Sequence, residues 1–128
     1  MNDDLVREWV KKAEHDYESA LILFRNRKTA AYDVVCFLCQ QCVEKMFKAF
    51  LIHVNLKFLR THDLDSLRKQ ATTRDSEFVL YQDLANRLNT YSVDVRYPGD
   101  EPDRKEADRA IKAMKEIRTF VRGKLKGI

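Results

Sequence analysis

The stretch CFLCQQCVEKMFKAFLI, residues 36–52, decides the fold. Apolar residues fall on nearly every side of a helix built from it, which predicts a helix from about Ala30 to Val54 that is buried in the middle of a bundle. Its polar residues lie within one arc of roughly 140°; they are Asp33, Gln40, Gln41, Glu44, Lys45, Lys48 and Asn55. A site is expected in this arc. Because Phe37, Leu51 and Ile52 interrupt it, a partner subunit is the alternative occupant.

The composition predicts one all-α domain over residues 1–128. Three Gly and two Pro, with 45% hydrophobic and 34% charged residues, are typical of a compact helical protein. No apolar run approaches the roughly 18 residues that a bilayer span needs. The polar start, Met1 to Asp4, is unlike a secretory signal. We therefore expect a cytoplasmic location and no membrane.

Helical spacing predicts four main helices and one short one. The first runs from Asp3 or Asp4 to Arg25, and Thr29 is placed as the cap of the second, long helix. A turn this short makes the two helices antiparallel neighbours. The apolar stripe of the first helix contains Leu5, Trp9, Ala13, Ala20, Leu23 and Phe24.

The second half of the chain supplies the other helices. Residues 61–63 offer caps for the short helix, and the fourth helix is expected over about Glu77 to Thr90. Asp103 and Glu106 resemble a capping box before the last helix, which Gly127 ends. We find no repeat, no linker and no second domain.

Charge is distributed unevenly. Residues 1–24 hold six acids against three bases, whereas residues 104–128 hold nine bases against three acids. The basic last helix can attract a polyanion such as RNA, or it can be a solvated face that pairs in part with the acidic first helix.

The cysteine and histidine residues do not predict a metal site. Cys36, Cys39 and Cys42 would spread over roughly 120° of an apolar helix surface, so we expect three buried, reduced core residues. The three histidines lack metal-ligand spacing, and no cofactor is expected. His62 starts a helix after the basic residues Lys57 and Arg60, where it can meet an anion or merely help to cap the helix.

Asp16 lies close to the core stripe of the first helix, which is an unusual place for a carboxylate. A buried acid needs a cation or hydrogen-bond donors, and Lys45, Arg96 and Tyr97 are the candidate partners. Motifs of nucleophilic catalysis and phosphate-loop chemistry do not occur, since there is no G-x-S-x-G, no Gly-rich loop and no H-E-x-x-H.

Four segments together resemble the HEPN family, small helical domains named for nucleotide binding in higher eukaryotes and prokaryotes. They are AEHDYESA at residues 13–20, CQQCVEKMFKA at residues 39–49, THDL at residues 61–64, and Tyr91 followed by Arg96, Tyr97 and Pro98. The 39–49 segment is similar to the family's Q-Q-x-x-E-K-x-x-K-A run.

The resemblance implies an antiparallel up-and-down bundle similar to the helical domain of nucleotidyltransferases. It also implies a homodimer and a partnership with a minimal nucleotidyltransferase in toxin–antitoxin pairs. Many members are ribonucleases that use an R-x4-6-H motif near the last helix. Here no His follows Arg96. Since metal-free RNA cleavage needs a group that exchanges a proton near neutral pH, we predict no ribonuclease activity of that type and no catalytic residue.

The leading hypothesis is a domain that binds a nucleotide such as ATP or GTP, or a nucleotidyltransferase partner. The candidate binding residues are Asp16, Gln41, Lys45, Lys48, His62, Tyr91, Arg96 and Tyr97. In this hypothesis Gln41, Lys45 and Lys48 line a polar groove, Arg96 pairs with phosphate or Asp16, and Tyr97 stacks or donates its hydroxyl. One alternative is a toxin-like RNase that uses Arg96 with His62. The other is a structural homodimerisation module.

Overall fold

The structure, a computed structural model, describes residues 2–92 and 97–128. Within these ranges every regular element is a helix, which confirms the all-α class. The elements are α1 (Asp3–Arg25), α2 (Tyr32–His53), α3 (Leu64–Thr72), a 3₁₀ helix (Ser76–Tyr81), α4 (Gln82–Asn89) and α5 (Arg104–Lys124). No helix in the described part of the chain has both the length and the apolar character required to cross a membrane.

Helix α2 forms the centre of the bundle, as predicted. Fourteen of its 22 residues are buried, and it packs against α1, α3, α4 and α5. All three cysteines are fully buried, which confirms their predicted place in the core. Leu51 and Ile52 are also buried within the chain, at 0% and 8% exposure, so they do not favour a partner on the polar arc.

The predicted apolar stripe of α1 is wrong at Leu5. This side chain is 46% exposed, whereas Val6 and Val10 are buried. Apolar residues at positions 5, 6, 9 and 10 occupy two adjoining arcs of the helix, and hydrophobicity alone does not show which arc faces the core. Leu5 and Trp9 instead turn toward the end of α2 and line a groove.

The turn between α1 and α2 is built by Asn26 and not by a threonine cap. The Asn26 carboxamide oxygen accepts hydrogen bonds from the backbone N–H groups of Lys28 and Thr29, at 3.1 and 3.3 Å. The residue that precedes α2 is Ala31, and no side chain caps the helix there. The prediction that Thr29 caps α2 was therefore wrong, because the Asn26 side chain holds Thr29 in the turn and α2 begins only at Tyr32.

Asn55 follows the end of α2 and turns the chain back toward α1. Its φ of +60° is in the left-handed region, which asparagine tolerates better than most residues. The N–H of Asn55 donates to the Ile52 carbonyl at 3.0 Å, and the N–H of Leu56 donates to the Leu51 carbonyl at 2.8 Å. This pair of bonds is a Schellman motif. It sets the direction of residues 56–60, which form one wall of the groove described below.

The predicted fourth helix begins as a 3₁₀ helix and becomes α-helical only at Gln82. Asp75 caps its start by accepting from the Glu77 N–H at 3.0 Å. Phe78 then inserts into the core, where its ring centroid lies 4.5 Å from that of Phe50. The tighter turn lets Phe78 be fully buried while Leu80 is 72% exposed.

The predicted capping box at the start of α5 is only half formed. Asp103 accepts from the Glu106 N–H at 2.8 Å, but the Glu106 carboxylate accepts a hydrogen bond from the Tyr91 hydroxyl. The helix ends at Lys124, three residues before the predicted stop at Gly127.

Asp63 joins the start of α3 to the end of α4. Its carboxylate accepts from Ser66 Oγ at 2.5 Å, from the Asn89 side-chain amide at 2.6 Å and from the Asp65 N–H at 3.3 Å. The hydrogen bonds from Ser66 and Asn89 lower the pKa of this carboxyl. The ionised form therefore stabilises the fold above the pKa of the unfolded chain, and that contribution is lost as the pH falls through the lower folded pKa.

We expect Asp63→Ala to lower the free energy of unfolding at pH 7 by about 1 kcal/mol, the usual effect of losing a helix cap. The variant should also lose less stability than the wild type between pH 7 and pH 3. Urea denaturation at the two pH values measures both effects. Asp83→Ala, which removes an exposed carboxylate from the first turn of α4, is the control. If the Asp63→Ala variant and the wild type lost the same stability between pH 7 and pH 3, this would contradict a stabilising role of the ionised Asp63 carboxylate.

Candidate functional site

A buried carboxylate, Glu44, lies at the centre of a polar network on α2. The residue is 3% exposed, and its oxygens accept from Lys48 Nζ at 2.9 Å and from the Gln40 side-chain amide at 3.3 Å. The Nδ1 atom of His62 lies 3.0 and 3.2 Å from the two carboxylate oxygens. A buried charge is tolerated when it is paired and hydrogen-bonded, and Glu44 meets both conditions.

The spacing of α2 explains how the network forms. Gln40, Glu44 and Lys48 are separated by four residues each, so they follow one face of the helix. The Gln40 amide also donates to the His62 carbonyl at 3.0 Å, and the Gln41 amide donates to Gln40 Oε1 at 2.7 Å. Gln40 thus holds the backbone of His62, and Glu44 holds its ring.

Gln40 and Glu44 belong to the predicted polar arc but not to the predicted set of binding residues. The sequence signal that could have found them is their four-residue spacing on a helix that is apolar on its other sides. Of the predicted residues, Gln41, Lys48 and His62 are brought together here.

Asp16 and Lys45 form a separate ion pair. Lys45 Nζ lies 2.5 Å from Asp16 Oδ2, and the two side chains are 22% and 17% exposed. Lys45 is one of the three partners predicted for Asp16. Nearby, Arg118 of α5 binds Glu14 of α1 through two hydrogen bonds of 2.8 and 2.7 Å. The acidic first helix and the basic last helix therefore do pair in part.

The other predicted residues lie elsewhere. The Tyr91 hydroxyl donates to Glu106, and burial together with this hydrogen bond raises the pKa of the phenol. Tyr97 is 77% exposed. Arg96 lies outside the described residues, so its pairing with Asp16, with His62 or with phosphate stays a prediction.

A groove adjoins the Glu44 network between the start of α1 and the segment that follows α2. We call it the Trp9 groove; its volume is about 420 Å³, within the usual range of small-molecule sites. Its lining comprises Asn2, Leu5, Trp9, Ile52, Asn55, Leu56, Lys57, Phe58 and Arg60.

Lys48 connects the network to this groove. Its Nζ atom lies 5.6 Å from the centroid of the Trp9 ring and 5.1 Å from that of Phe58. The two aromatic rings meet edge to face, with centroids 5.5 Å apart. The Lys48 ammonium group thus lies behind both rings, and Glu44 already neutralises its charge.

The cations at the rim of the groove differ from Lys45 and Lys48. Lys57 and Arg60 are exposed, and across residues 2–92 and 97–128 neither has a carboxylate within ion-pair distance. They therefore keep their charge available for an anion. Lys45 and Lys48 already have carboxylate partners.

In the described ranges, no group of three or more His, Cys, Asp and Glu side chains is arranged to hold a metal ion. Burial raises the pKa of the Cys39 and Cys42 thiols, which disfavours the reactive thiolate.

The sequence matches a family model described as the HEPN domain over residues 6–124. The chain belongs to the HEPN family. This HEPN chain is also similar to the crystal structure of an archaeal HEPN homologue, with 27% identity and a TM-score of 0.74 over 94% of this chain and 98% of that one. No curated protein matches its sequence.

Two bacterial structures share the fold. A protein of Thermus thermophilus is 25% identical, with a TM-score of 0.75 over 97% of this HEPN chain and 99% of its own. A HEPN domain protein of Thermotoga maritima is 22% identical, with a TM-score of 0.62 over 98% and 97% of the two chains. The second likeness bears on the fold alone. The family match confirms the predicted family, and the similar structures confirm the helical bundle.

Proposed function

We propose that this HEPN domain binds a nucleotide in the Trp9 groove. The observation that carries the proposal is the combination of aromatic walls with cations that have no ion pair in the described residues. A nucleotide has an aromatic base and a phosphate chain, and it needs both kinds of contact. In the proposed complex the base lies against Trp9 or Phe58, and Lys57 and Arg60 bind the phosphates.

The proposal changes the roles first expected for the lysines of α2. Lys48 supports the aromatic walls from within, because its charge is already balanced by Glu44 at 2.9 Å. Lys45 is balanced by Asp16. If either ammonium group moved to a phosphate, its carboxylate would be left unpaired. For Lys48 that carboxylate is Glu44, which is buried. The exposed cations of residues 57–60 carry no such penalty.

The partner expected from the family resemblance belongs to the same proposal. It is a minimal nucleotidyltransferase that forms a toxin–antitoxin-like pair with a homodimer of this chain. Such a partner would present or consume a nucleotide, and the groove supports this link. RNA also combines aromatic bases with phosphates, and as a larger ligand it would bind the basic residues of α5 as well.

A fluorescence titration tests nucleotide binding directly. Trp9 is the only tryptophan of the chain, so its emission reports on the groove without a contribution from another tryptophan. We expect ATP to change this emission saturably and to raise the melting temperature by mass action. Arg60→Ala and Lys57→Ala should each weaken binding by roughly tenfold or more, since a hydrogen bond to a charged group contributes at least about 1.5 kcal/mol.

The matched control is Lys112→Ala on α5. This lysine is exposed and already paired with Asp108 at 2.9 Å, and it does not line the groove, so its loss changes the net charge by the same amount without removing a groove residue. Binding should be unchanged in this variant. No change in Trp9 emission or melting temperature at millimolar ATP or GTP would contradict the proposal.

A further inference from the structure

The ring of His62 is held at one nitrogen and open at the other. Its side chain is 72% exposed, although Nδ1 contacts the carboxylate of Glu44, which is only 4% exposed. The Gln40 amide fixes the backbone of the same residue at 3.0 Å. In the part of the chain that the structure describes, Nε2 has no hydrogen-bond partner.

This geometry selects one form of the neutral imidazole. Glu44 is ionised, because Lys48 Nζ pairs with it at 2.9 Å, and an ionised carboxylate only accepts hydrogen bonds. In the neutral ring, the His62 Nδ1 must therefore carry the proton that is donated to Glu44. The lone pair of the ring is then on Nε2, which faces solvent and can act as a nucleophile.

We propose that His62 is a phosphoryl-acceptor site, modified at Nε2 by a donor of the phosphoramidate class. The Nε2 lone pair attacks phosphorus and an Nε2–P bond forms. The donor nitrogen, which is already protonated, takes the electron pair of the broken P–N bond and leaves as a neutral amine. The ring keeps its Nδ1 proton and becomes a phosphorylated imidazolium. Its positive charge is stabilised by the Glu44 carboxylate, which is already in contact with that proton.

The surroundings of His62 suit a phosphoryl group. Arg60 lies two residues earlier, so their Cα atoms are within about 7 Å, and no ion pair in the described residues occupies its guanidinium. The carboxylate of the next residue, Asp63, is turned into the cap of α3 by Ser66 and Asn89. Of the two charged residues beside His62 in sequence, Asp63 is therefore already hydrogen-bonded, and Arg60 keeps a charge that a phosphate can approach.

The other exposed histidine provides an internal standard. His15 lies on the surface of α1, and within the described ranges no carboxylate binds its ring. If exposure alone decided reactivity, His15 and His62 would react at similar rates. If Glu44 activates His62 as proposed, His62 reacts faster.

The test treats the folded protein with potassium phosphoramidate and measures the phosphate added at each histidine by mass spectrometry and ³¹P NMR. We expect the initial rate at His62 to exceed that at His15 roughly tenfold, the ratio expected from one charge-assisted hydrogen bond. Glu44→Gln, shown to be folded by circular dichroism, should reduce the His62 rate to that of His15. His15→Gln should leave the His62 rate unchanged.

The comparison of the His62 and His15 rates in the wild-type protein tests the proposal even if the Glu44→Gln variant does not fold. A His62 rate equal to or below that of His15 overturns the proposal. The same holds if a folded Glu44→Gln variant keeps the wild-type rate. The proposal goes beyond nucleotide binding, and the reaction needs no ligand in the Trp9 groove, so either idea can fail while the other stands.

Discussion

Replacement of Glu44 by alanine is expected to destabilise the protein by about 3–5 kcal/mol. The substitution leaves the Lys48 ammonium, whose side chain is only 9% exposed, without its carboxylate. It also removes acceptors from the side chains of Gln40 and His62. A protein of this size has a total stability of only about 5–15 kcal/mol, so the variant should unfold at a far lower urea concentration.

Two further variants make this prediction specific. Asp16→Ala removes the carboxylate of the more exposed pair with Lys45 and should cost only about 1 kcal/mol. Glu44→Leu combined with Lys48→Met removes both buried charges and should be more stable than Glu44→Ala alone. Equal losses for Asp16→Ala and Glu44→Ala would show that Glu44 is not the centre of a buried network.

The second large effect is expected at Phe78. Its side chain is fully buried, and its ring lies 4.5 Å from Phe50, 4.8 Å from Phe120 and 6.0 Å from Phe47, measured between centroids. Phe78→Ala would leave a cavity among these three rings and should cost about 3–5 kcal/mol. Thermal and urea unfolding, followed by circular dichroism, measure the loss.

Leu80→Ala is the matched control on the same 3₁₀ helix. Leu80 is 72% exposed, so its truncation should change the stability by no more than about 0.5 kcal/mol. A small loss for Phe78→Ala, or similar losses for the two variants, would contradict the position of this helix in the core.

Helix α2 was predictable because its sequence contains two independent signals. Apolar residues on nearly all sides placed it in the centre of the bundle, and the polar residues that remained fell in one arc. Both signals depend only on helical spacing. The same spacing could not show that Phe78 enters the core from a 3₁₀ helix, since the Asp75 cap and the surrounding rings determine that turn.

The site was predictable only in part, for a related reason. Residues of α2 such as Gln41 and Lys48 share a face by periodicity, whereas His62 joins them through a loop. The path of that loop depends on the left-handed turn at Asn55, which hydrophobic patterning does not reveal. The same turn places Phe58 against Trp9 and so forms the groove. Trp9 was expected in the core stripe, and its role as a groove wall became apparent only from the structure.

The most direct test of nucleotide binding is an NMR titration of ¹⁵N-labelled protein with ATP. We predict saturable shifts of the Trp9 indole N–H and of the backbone amides of residues 56–60. The amides of Lys11 and Arg122, which line a second groove between α1 and α5, should not shift with them. Absence of saturable shifts at millimolar ATP, or shifts confined to the second groove, would contradict binding in the Trp9 groove.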